Sequence, residues 1–150
     1  MTDFSLLEQH YPGLVSELKK QDEDELSPEE LKIEVTASGN PCLRIRGVYV
    51  HSGRDPVREA RRQVESLLIP HEVILNHDGP IVVLGFGLGY AAEAAALAAP
   101  GRPLIIVEKR RQLLRKALET RELGPFLLNN QIVFVLGDAH IMGALSLFKK

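Results

Sequence analysis

Three glycines at alternate positions follow a short apolar run in the segment IVVLGFGLGY, which begins at residue 81. After a buried parallel strand, one glycine allows a sharp turn, a second lets the backbone approach a ligand closely, and a third allows close helix–strand packing. The helix that begins there directs N–H groups and its positive dipole end at the same crevice. The pattern predicts a nucleotide-like or anionic ligand, and the alternative is tight packing without a ligand.

Two acidic residues end the next two apolar runs. Glu108 ends LIIVE, and Asp138 follows IVFVLG. Glu108 lies about 20 residues beyond the third glycine, where an acid hydrogen-bonds ribose hydroxyls in dinucleotide sites. The alternatives are a solvent-facing strand end for Glu108 and a helix cap for Asp138. The predicted cofactor-binding set is Gly85, Gly87, Gly89, Tyr90, Glu108 and Asp138.

A second polar cluster lies at a predicted strand-to-helix junction and contains His51, Ser52, Arg54 and Arg58. Two guanidinium groups beside a helix N-terminus could bind an anion. In the alternative, Asp55 caps the helix, His51 packs, and the arginines are solvated. Both interpretations stay open from the sequence.

Two charged runs allow a similar choice. The acidic segment QDEDELSPEE, residues 21–30, is typical of a solvated linker, and the alternative is attraction to a basic partner. The run Lys109-Arg110-Arg111 is typical of a solvated helix start, and the alternative is a contact with a ligand phosphate.

Metal binding and nucleophilic hydrolysis have no supporting pattern. The histidines show no metal-ligand spacing with cysteines or acids, so no metal site is predicted. Cys42 is the single cysteine, which excludes an internal disulfide and fits a reducing compartment. A Gly-x-Ser-x-Gly elbow is absent from the sequence. The catalytic residues are therefore unassigned.

The fold class predicted from the apolar runs is α/β. IVVL, LIIV and IVFVL are short and continuously apolar, as in parallel strands buried on both faces. Predicted helices at about 88–99 and 110–122 separate them, which gives a right-handed β-α-β-α-β unit. We predict a Rossmann-like, methyltransferase-like half-sheet over residues 79–150. Since such sheets usually have about five or six strands, we expect a truncated fragment of a longer protein, and the alternative is an unusually small sheet.

Residues 1–78 form a predicted N-terminal region of helices and antiparallel strands. Pro12-Gly13 divides the first apolar helical pattern into two short pieces. LKIEVTA and CLRIRGVYV alternate in polarity and predict a small meander, with Gly47 at a turn or bulge. Asp55-Pro56 is a helix start, and the apolar spacing predicts a helix over 56–68.

Composition narrows the classes of partner. The 150 residues are 45% hydrophobic and carry a formal net charge of −2, which argues against a general nucleic-acid binder. The first residues do not resemble a signal peptide, and no apolar stretch approaches the ~20 residues that span a bilayer. We expect a cytoplasmic protein without a membrane partner. The oligomeric state is not indicated.

The order of glycines and acids resembles S-adenosylmethionine-dependent methyltransferases. In that family the first acid contacts the ribose, and an acid after the third strand lies near the adenine. Those enzymes commonly carry an acid two places before the first glycine, where this chain has Val83. S-adenosylmethionine is therefore an alternative cofactor. A further alternative is a non-enzymatic interaction module whose glycines only pack.

A longer resemblance, over about residues 40–140, rests on YVHSGRDPVREA, VVLGFGLGY and LIIVEKRRQLLRKALE. These segments are similar to the N-terminal part of the motility-associated factor (Maf) family of flagellin glycosyltransferases, which is related to a hydroxymethylpterin diphosphokinase-like (MptE-like) domain. The matching positions are Tyr49, His51, Ser52, Asp55, Pro56, Arg58, Glu59, Ala60, Gly85, Gly87, Gly89, Tyr90 and Glu108.

The resemblance implies a role in flagellin glycosylation. The family's sugar transfer is attributed to a following domain with a Gly-x-Gly-Pro-Ser stretch, which these residues lack. The resemblance thus implies a binding or scaffolding domain, with the catalytic centre elsewhere in the protein. Its donors would be nonulosonic sugars linked to cytidine monophosphate (CMP), so a nucleotide or CMP-linked sugar is the expected ligand class and flagellin the implied partner.

Overall fold

The computed structural model describes residues 2–68 and 79–137. The helices are α1 (Phe4–His10), α2 (Leu14–Lys19), α3 (Pro56–Leu68), α4 (Tyr90–Ala98), α5 (Arg111–Thr120) and α6 (Gly124–Asn129). The strands are β1 (Leu31–Val35), β2 (Pro41–Ile45), β3 (Val48–Tyr49), β4 (Ile81–Leu84), β5 (Leu104–Glu108) and β6 (Ile132–Leu136). None of these helices combines the length and the hydropathy that crossing a membrane requires.

The three apolar runs form one parallel sheet in the order β4-β5-β6. Ile81 pairs with Leu104, and Leu104 pairs with Ile132, so the strands start in register. Helix α4 connects β4 to β5, and α5 and α6 connect β5 to β6. The mixed α/β class with a parallel β-α-β-α-β unit is confirmed, and α6 is an element that the sequence pattern did not predict.

The two faces of the parallel sheet differ in burial. One face carries Leu104, Ile106 and Leu136, which join the hydrophobic core beneath the helices. The opposite face is apolar as well, but Leu84 at the edge is 80% exposed and Val133 is 58% exposed. Consecutive right-handed crossovers in one direction place their helices on the same side of a sheet, which accounts for the exposure of Leu84 and Val133 within the described residues.

The predicted meander is confirmed as an antiparallel sheet in the order β1-β2-β3. Arg46 and Gly47 alone separate β2 from β3, and both have positive φ, at 48° and 82°. A two-residue loop with two left-handed residues matches the twist of a hairpin. Gly47 therefore lies in a hairpin turn, one of its two predicted roles.

The N-terminal helices pack against the parallel-sheet unit. The predicted break at Pro12-Gly13 separates α1 from α2, and Gly13 has a left-handed φ of 85°. Leu7 and Leu18 are buried in the same hydrophobic cluster as Leu114 and Leu127. Residues from both sides of the predicted boundary at 78/79 thus share one cluster, and the boundary itself stays a prediction.

The acidic segment 21–30 is not a solvated linker, so that interpretation is wrong. Asp22 accepts hydrogen bonds from the N–H groups of Arg111 and Gln112, at 3.2 and 3.1 Å, and so caps α5 from a distant part of the chain. Arg110 pairs with Asp24. The basic partner of the acidic segment is a helix of the same chain.

Candidate functional site: the glycine turn and His51

The glycine segment forms a turn between β4 and α4. Gly85, Gly87 and Gly89 all have left-handed φ values, of 80°, 54° and 89°. The N–H of Gly85 donates to the carbonyl of Val107 on β5 at 2.8 Å, so the turn begins on the sheet. Helix α4 starts at Tyr90, directly after the last glycine. The turn thus has the strand–turn–helix context that the glycine spacing predicts.

Glu108 lies at the predicted edge and is engaged with the main chain. Its side chain is 4% exposed. One carboxylate oxygen accepts the N–H of Phe86 at 2.7 Å, and the other accepts the N–H of Arg110 at 2.9 Å. Each carboxylate oxygen therefore already accepts one hydrogen bond, and a ribose hydroxyl would have to donate to an oxygen that is already in use. In this geometry the carboxylate fastens the glycine turn to the end of β5.

His51 occupies the position directly against the second glycine. Its Nε2 accepts the N–H of Leu88 at 3.0 Å, which fixes the neutral ring with its proton on Nδ1. A Cβ on Gly87 would lie 2.6 Å from the imidazole ring. The absence of a side chain at Gly87 is therefore required by His51 itself. The close approach that the glycine spacing predicts is made here by a residue of the same chain.

The surroundings of His51 hold it neutral. Burial and the positive charge of Arg121 lower the pKa of His51 from 6.5 to about 4. Within residues 2–68 and 79–137, no group accepts a hydrogen bond from Nδ1, and no buried side-chain nitrogen or oxygen lacks a partner. The Nδ1–H consequently retains contact with solvent and is a donor available beside the turn.

Tyr90 and Arg121 complete the cluster around the turn. The rings of His51 and Tyr90 meet edge to face with centroids 5.1 Å apart, and burial raises the pKa of Tyr90 to about 12. The guanidinium of Arg121 lies 4.0 Å from the Tyr90 ring centroid and donates to the Leu88 carbonyl at 2.7 Å. A second nitrogen of Arg121 pairs with Glu93 at 2.7 Å. Sequence reasoning missed Arg121 because no motif marks a residue after α5.

The predicted anion cluster 51–58 divides into an inner and an outer part. Ser52 Oγ accepts the N–H groups of Arg54 and Asp55, and Asp55 caps α3 by accepting the N–H of Arg58 at 3.0 Å. His51 and Ser52 are thus half-buried and hydrogen-bonded within the chain, whereas the side chains of Arg54 and Arg58 are exposed. The cap predicted at Asp55 is confirmed.

Asp138 and Arg111 are two further predicted residues that the structure does not show to be open to a ligand. Asp138 lies outside the described residues. Arg111 pairs with Glu17 at 2.6 Å and with Asp22 at 3.3 Å, so its guanidinium is bound by carboxylates rather than open to a phosphate. In the part of the chain that the structure describes, no group of histidine, cysteine or acidic side chains could hold a metal ion.

Comparison with known proteins gives one distant relative. An uncharacterized protein from Treponema pallidum (strain Nichols) is 28% identical over 130 residues. The alignment covers 85% of this chain and 44% of that protein, so the chain spans less than half the length of the curated relative it matches. No family model and no solved structure matches the chain.

Proposed function

We propose that this chain is the N-terminal domain of a Maf-type protein glycosyltransferase that acts on flagellin in the cytoplasm. The observation that carries the proposal is the hydrogen bond from the Leu88 N–H to His51 Nε2 at 3.0 Å. It joins the two most specific segments of the resemblance, YVHS and GFGLGY, into one unit. His51 and Leu88 are 37 residues apart in the sequence, and their contact gives the two motifs a common reason to occur together, since each supplies the other's partner.

The role that the geometry supports best is scaffolding or binding, with catalysis in another part of the protein. Phe86 and Leu88 direct their N–H groups at Glu108 and His51, so these two turn amides already have partners inside the chain. An anion bound to either of these two amides would have to displace its partner. The glycines therefore serve internal packing at least as directly as they could serve a ligand.

We further propose that the parallel sheet is half of a larger Rossmann-like sheet. Parallel sheets are almost always covered on both faces. Here one face of β4, β5 and β6 is apolar, and among the described residues Leu84 and Val133 on it are 80% and 58% exposed. The match to only 44% of a longer relative supports the same proposal.

The test of the glycosylation proposal is deletion of the gene that encodes this chain, followed by intact-mass measurement of flagellin. We expect flagellin to lose mass in steps that correspond to nonulosonic sugars, and reintroduction of the gene to restore it. A flagellin mass that does not change on deletion contradicts the proposal. Complementation with His51→Gln then asks whether the joined motifs matter for the modification.

A nucleotide-binding role, with CMP or S-adenosylmethionine as ligand, is the second candidate. The observations that favour it are the glycine turn at the carboxyl edge of β4 and the solvent-accessible Nδ1–H of His51 beside it. Thermal unfolding is measured with S-adenosylmethionine, S-adenosylhomocysteine, CMP, uridine diphosphate sugars and NAD. A ligand at a hundred times its Kd stabilises by about 2.7 kcal/mol, which shifts the transition by several degrees. A shift with adenosyl compounds alone supports the methyltransferase-like alternative, and no shift contradicts nucleotide binding.

A further inference from the structure

The arginines of the described residues fall into two groups. Most of them donate to a carboxylate or to a main-chain carbonyl, namely Arg44, Arg46, Arg102, Arg110, Arg111, Arg115 and Arg121. The guanidinium groups of Arg54, Arg58, Arg61 and Arg62 have no such partner within residues 2–68 and 79–137. The unpaired group is confined to one short stretch at and around the start of α3.

Helical spacing places three of these arginines on one side of α3, and Arg54 precedes the helix. Arg61 and Arg62 follow Arg58 by three and four residues, so both neighbour it on the helix surface. All of them are exposed. The acids near the helix start form no ion pair with them, because the carboxylate of Asp55 accepts the Arg58 N–H and that of Glu59 accepts the N–H of Ser52. We name Arg54, Arg58, Arg61 and Arg62 the arginine face.

Glu65 is the acid that remains on this side of α3. It is exposed and lies four residues after Arg61, a spacing that permits an ion pair. The structure has no such pair, and the arginine face keeps an excess of positive charge. On a chain whose formal net charge is −2, this excess is a local feature that can direct an acidic partner.

An apolar groove adjoins the arginine face. It lies between α3 and α4, has a volume of about 180 Å³, and has an apolar lining that includes Val57, Val64 and Leu97. Its charged wall residues are Arg61, Glu65 and Glu93, and Glu93 is paired with Arg121. Leu97 is 77% exposed. Arg61 belongs to both the groove and the arginine face, so the apolar and the basic surfaces are continuous.

We propose that the arginine face and this groove bind an acidic segment of another protein that carries apolar side chains between its acids. The charge of the face requires an acidic partner, and the groove requires one that can insert an aliphatic side chain. Nucleic acid fits this surface less well, because single strands are bound on exposed aromatic rings, whereas Tyr90 in the groove is buried. This inference goes beyond the proposed glycosylation role and does not depend on it.

The test uses the full chain and a fluorescein-labelled twelve-residue peptide of alternating glutamate and leucine pairs, followed by fluorescence anisotropy. We expect saturable binding that Arg58→Glu/Arg61→Glu weakens by about tenfold or more. The matched control Lys19→Glu/Lys32→Glu reverses two exposed charges elsewhere and should leave the affinity within about twofold. A similar loss in both variants would show a response to net charge alone and overturn the proposal.

Two further probes test the groove and the class of partner. A peptide with serine in place of leucine should bind at least about fivefold more weakly, and Leu97→Ser should reduce the difference between the two peptides. Equal binding of both peptides removes the groove from the proposal and overturns it. Tighter binding of a uridine oligonucleotide than of the leucine peptide overturns the choice of a protein partner. Circular dichroism of each variant verifies that the fold is retained.

Discussion

The tripeptide Arg-Arg-Gln occurs twice in this chain, at residues 61–63 in α3 and at 110–112 at the start of α5, with opposite results. At the start of α5, Arg111 is bound by Glu17 and Asp22, and Gln112 makes two hydrogen bonds with the main chain of Leu26, at 2.8 and 2.7 Å. In α3, Arg61, Arg62 and Gln63 are all exposed. The same three residue types are half-buried and hydrogen-bonded to other parts of the chain in one helix, and exposed to solvent in the other.

The difference comes from what the chain brings to each helix. The acidic segment 21–30 runs along α5, where Asp22 caps the helix and pairs with Arg111 and Asp24 pairs with Arg110. No acidic segment of the described residues lies along α3. Satisfied charges at a partly buried site contribute to stability, and unpaired exposed charges contribute little. An exposed and unpaired arginine cluster is therefore the better candidate for binding another molecule.

The glycine turn resembles α5 in this respect. The N–H groups of Phe86 and Leu88 in the turn are bound by residues of the same chain, Glu108 and His51. We accordingly expect substitutions at the turn and at α5 to affect stability, and substitutions on the arginine face to affect binding. The following changes test this division in order of decreasing expected effect.

Gly87→Ala is expected to cost about 3 kcal/mol of unfolding free energy, because it combines a left-handed φ with a collision against the His51 ring. Gly85→Ala is the matched control, since Gly85 has a left-handed φ and open space around its Cβ position, so about 1 kcal/mol is expected. Urea unfolding measures both. Equal costs would mean that the imidazole does not occupy the turn in solution.

Low pH is expected to lower the free energy of unfolding through His51 by at most about 3 kcal/mol. The folded-state pKa of about 4 is below the ordinary 6.5, so between these values the unfolded chain binds a proton that the folded chain excludes. The contribution is intact above about pH 6.5 and is lost as the pH falls towards 4. The difference between wild type and His51→Gln over this range isolates it from the carboxylates. A pH-independent difference would contradict the buried, neutral imidazole.

Arg111→Ala is expected to lower the free energy of unfolding by about 2 kcal/mol, because it leaves Glu17 and Asp22 without their shared cation. Pairing with these acids raises the pKa of Arg111, and pairing with Lys20 and Arg111 lowers the pKa of Glu17. Thermal and urea unfolding measure the loss. Asp22→Ala, which removes the cap of α5, should produce a loss of similar size. A wild-type stability in both variants would restore the solvated-linker interpretation of segment 21–30.

Arg62→Ala, the equivalent change in the other Arg-Arg-Gln segment, should alter the free energy of unfolding by no more than about 0.5 kcal/mol. Its side chain is exposed and has no ion-pair partner among the described residues. The same urea titration as for Arg111→Ala gives the comparison directly. A loss as large as that of Arg111→Ala would show that α3 has a structural acidic partner.

Much of the fold was predictable from local pattern. The helix predicted over 56–68 is α3, Pro56–Leu68, because Asp55 and Pro56 mark its start and its apolar residues recur with helical period. The apolar runs IVVL and IVFVL are β4 and β6. Helix α6 was missed because its six residues, GPFLLN, contain a glycine and a proline that are typical of a turn.

The candidate site was predictable in its positions and less so in its contacts. The glycine turn and the edge position of Glu108 follow from the strand pattern. Local pattern could not predict that Glu108 binds the turn or that His51 packs against Gly87. Both contacts join segments that are distant in sequence. Arg121 likewise carries no local signal, although it contacts Tyr90, Glu93 and the Leu88 carbonyl.

The sequence by itself determined the α/β class and the alternation of strands and helices along the β-α-β-α-β unit. It also determined the break between helices at Pro12-Gly13 and the turn at the three glycines. These depend on periodicity and on backbone preferences, which act over a few residues. Only the tertiary structure decided which charges are paired and which are open. Two Arg-Arg-Gln segments are locally equivalent, and their difference arises from whether a distant acidic segment packs against the helix, because pairing depends on distance in space rather than on distance along the chain.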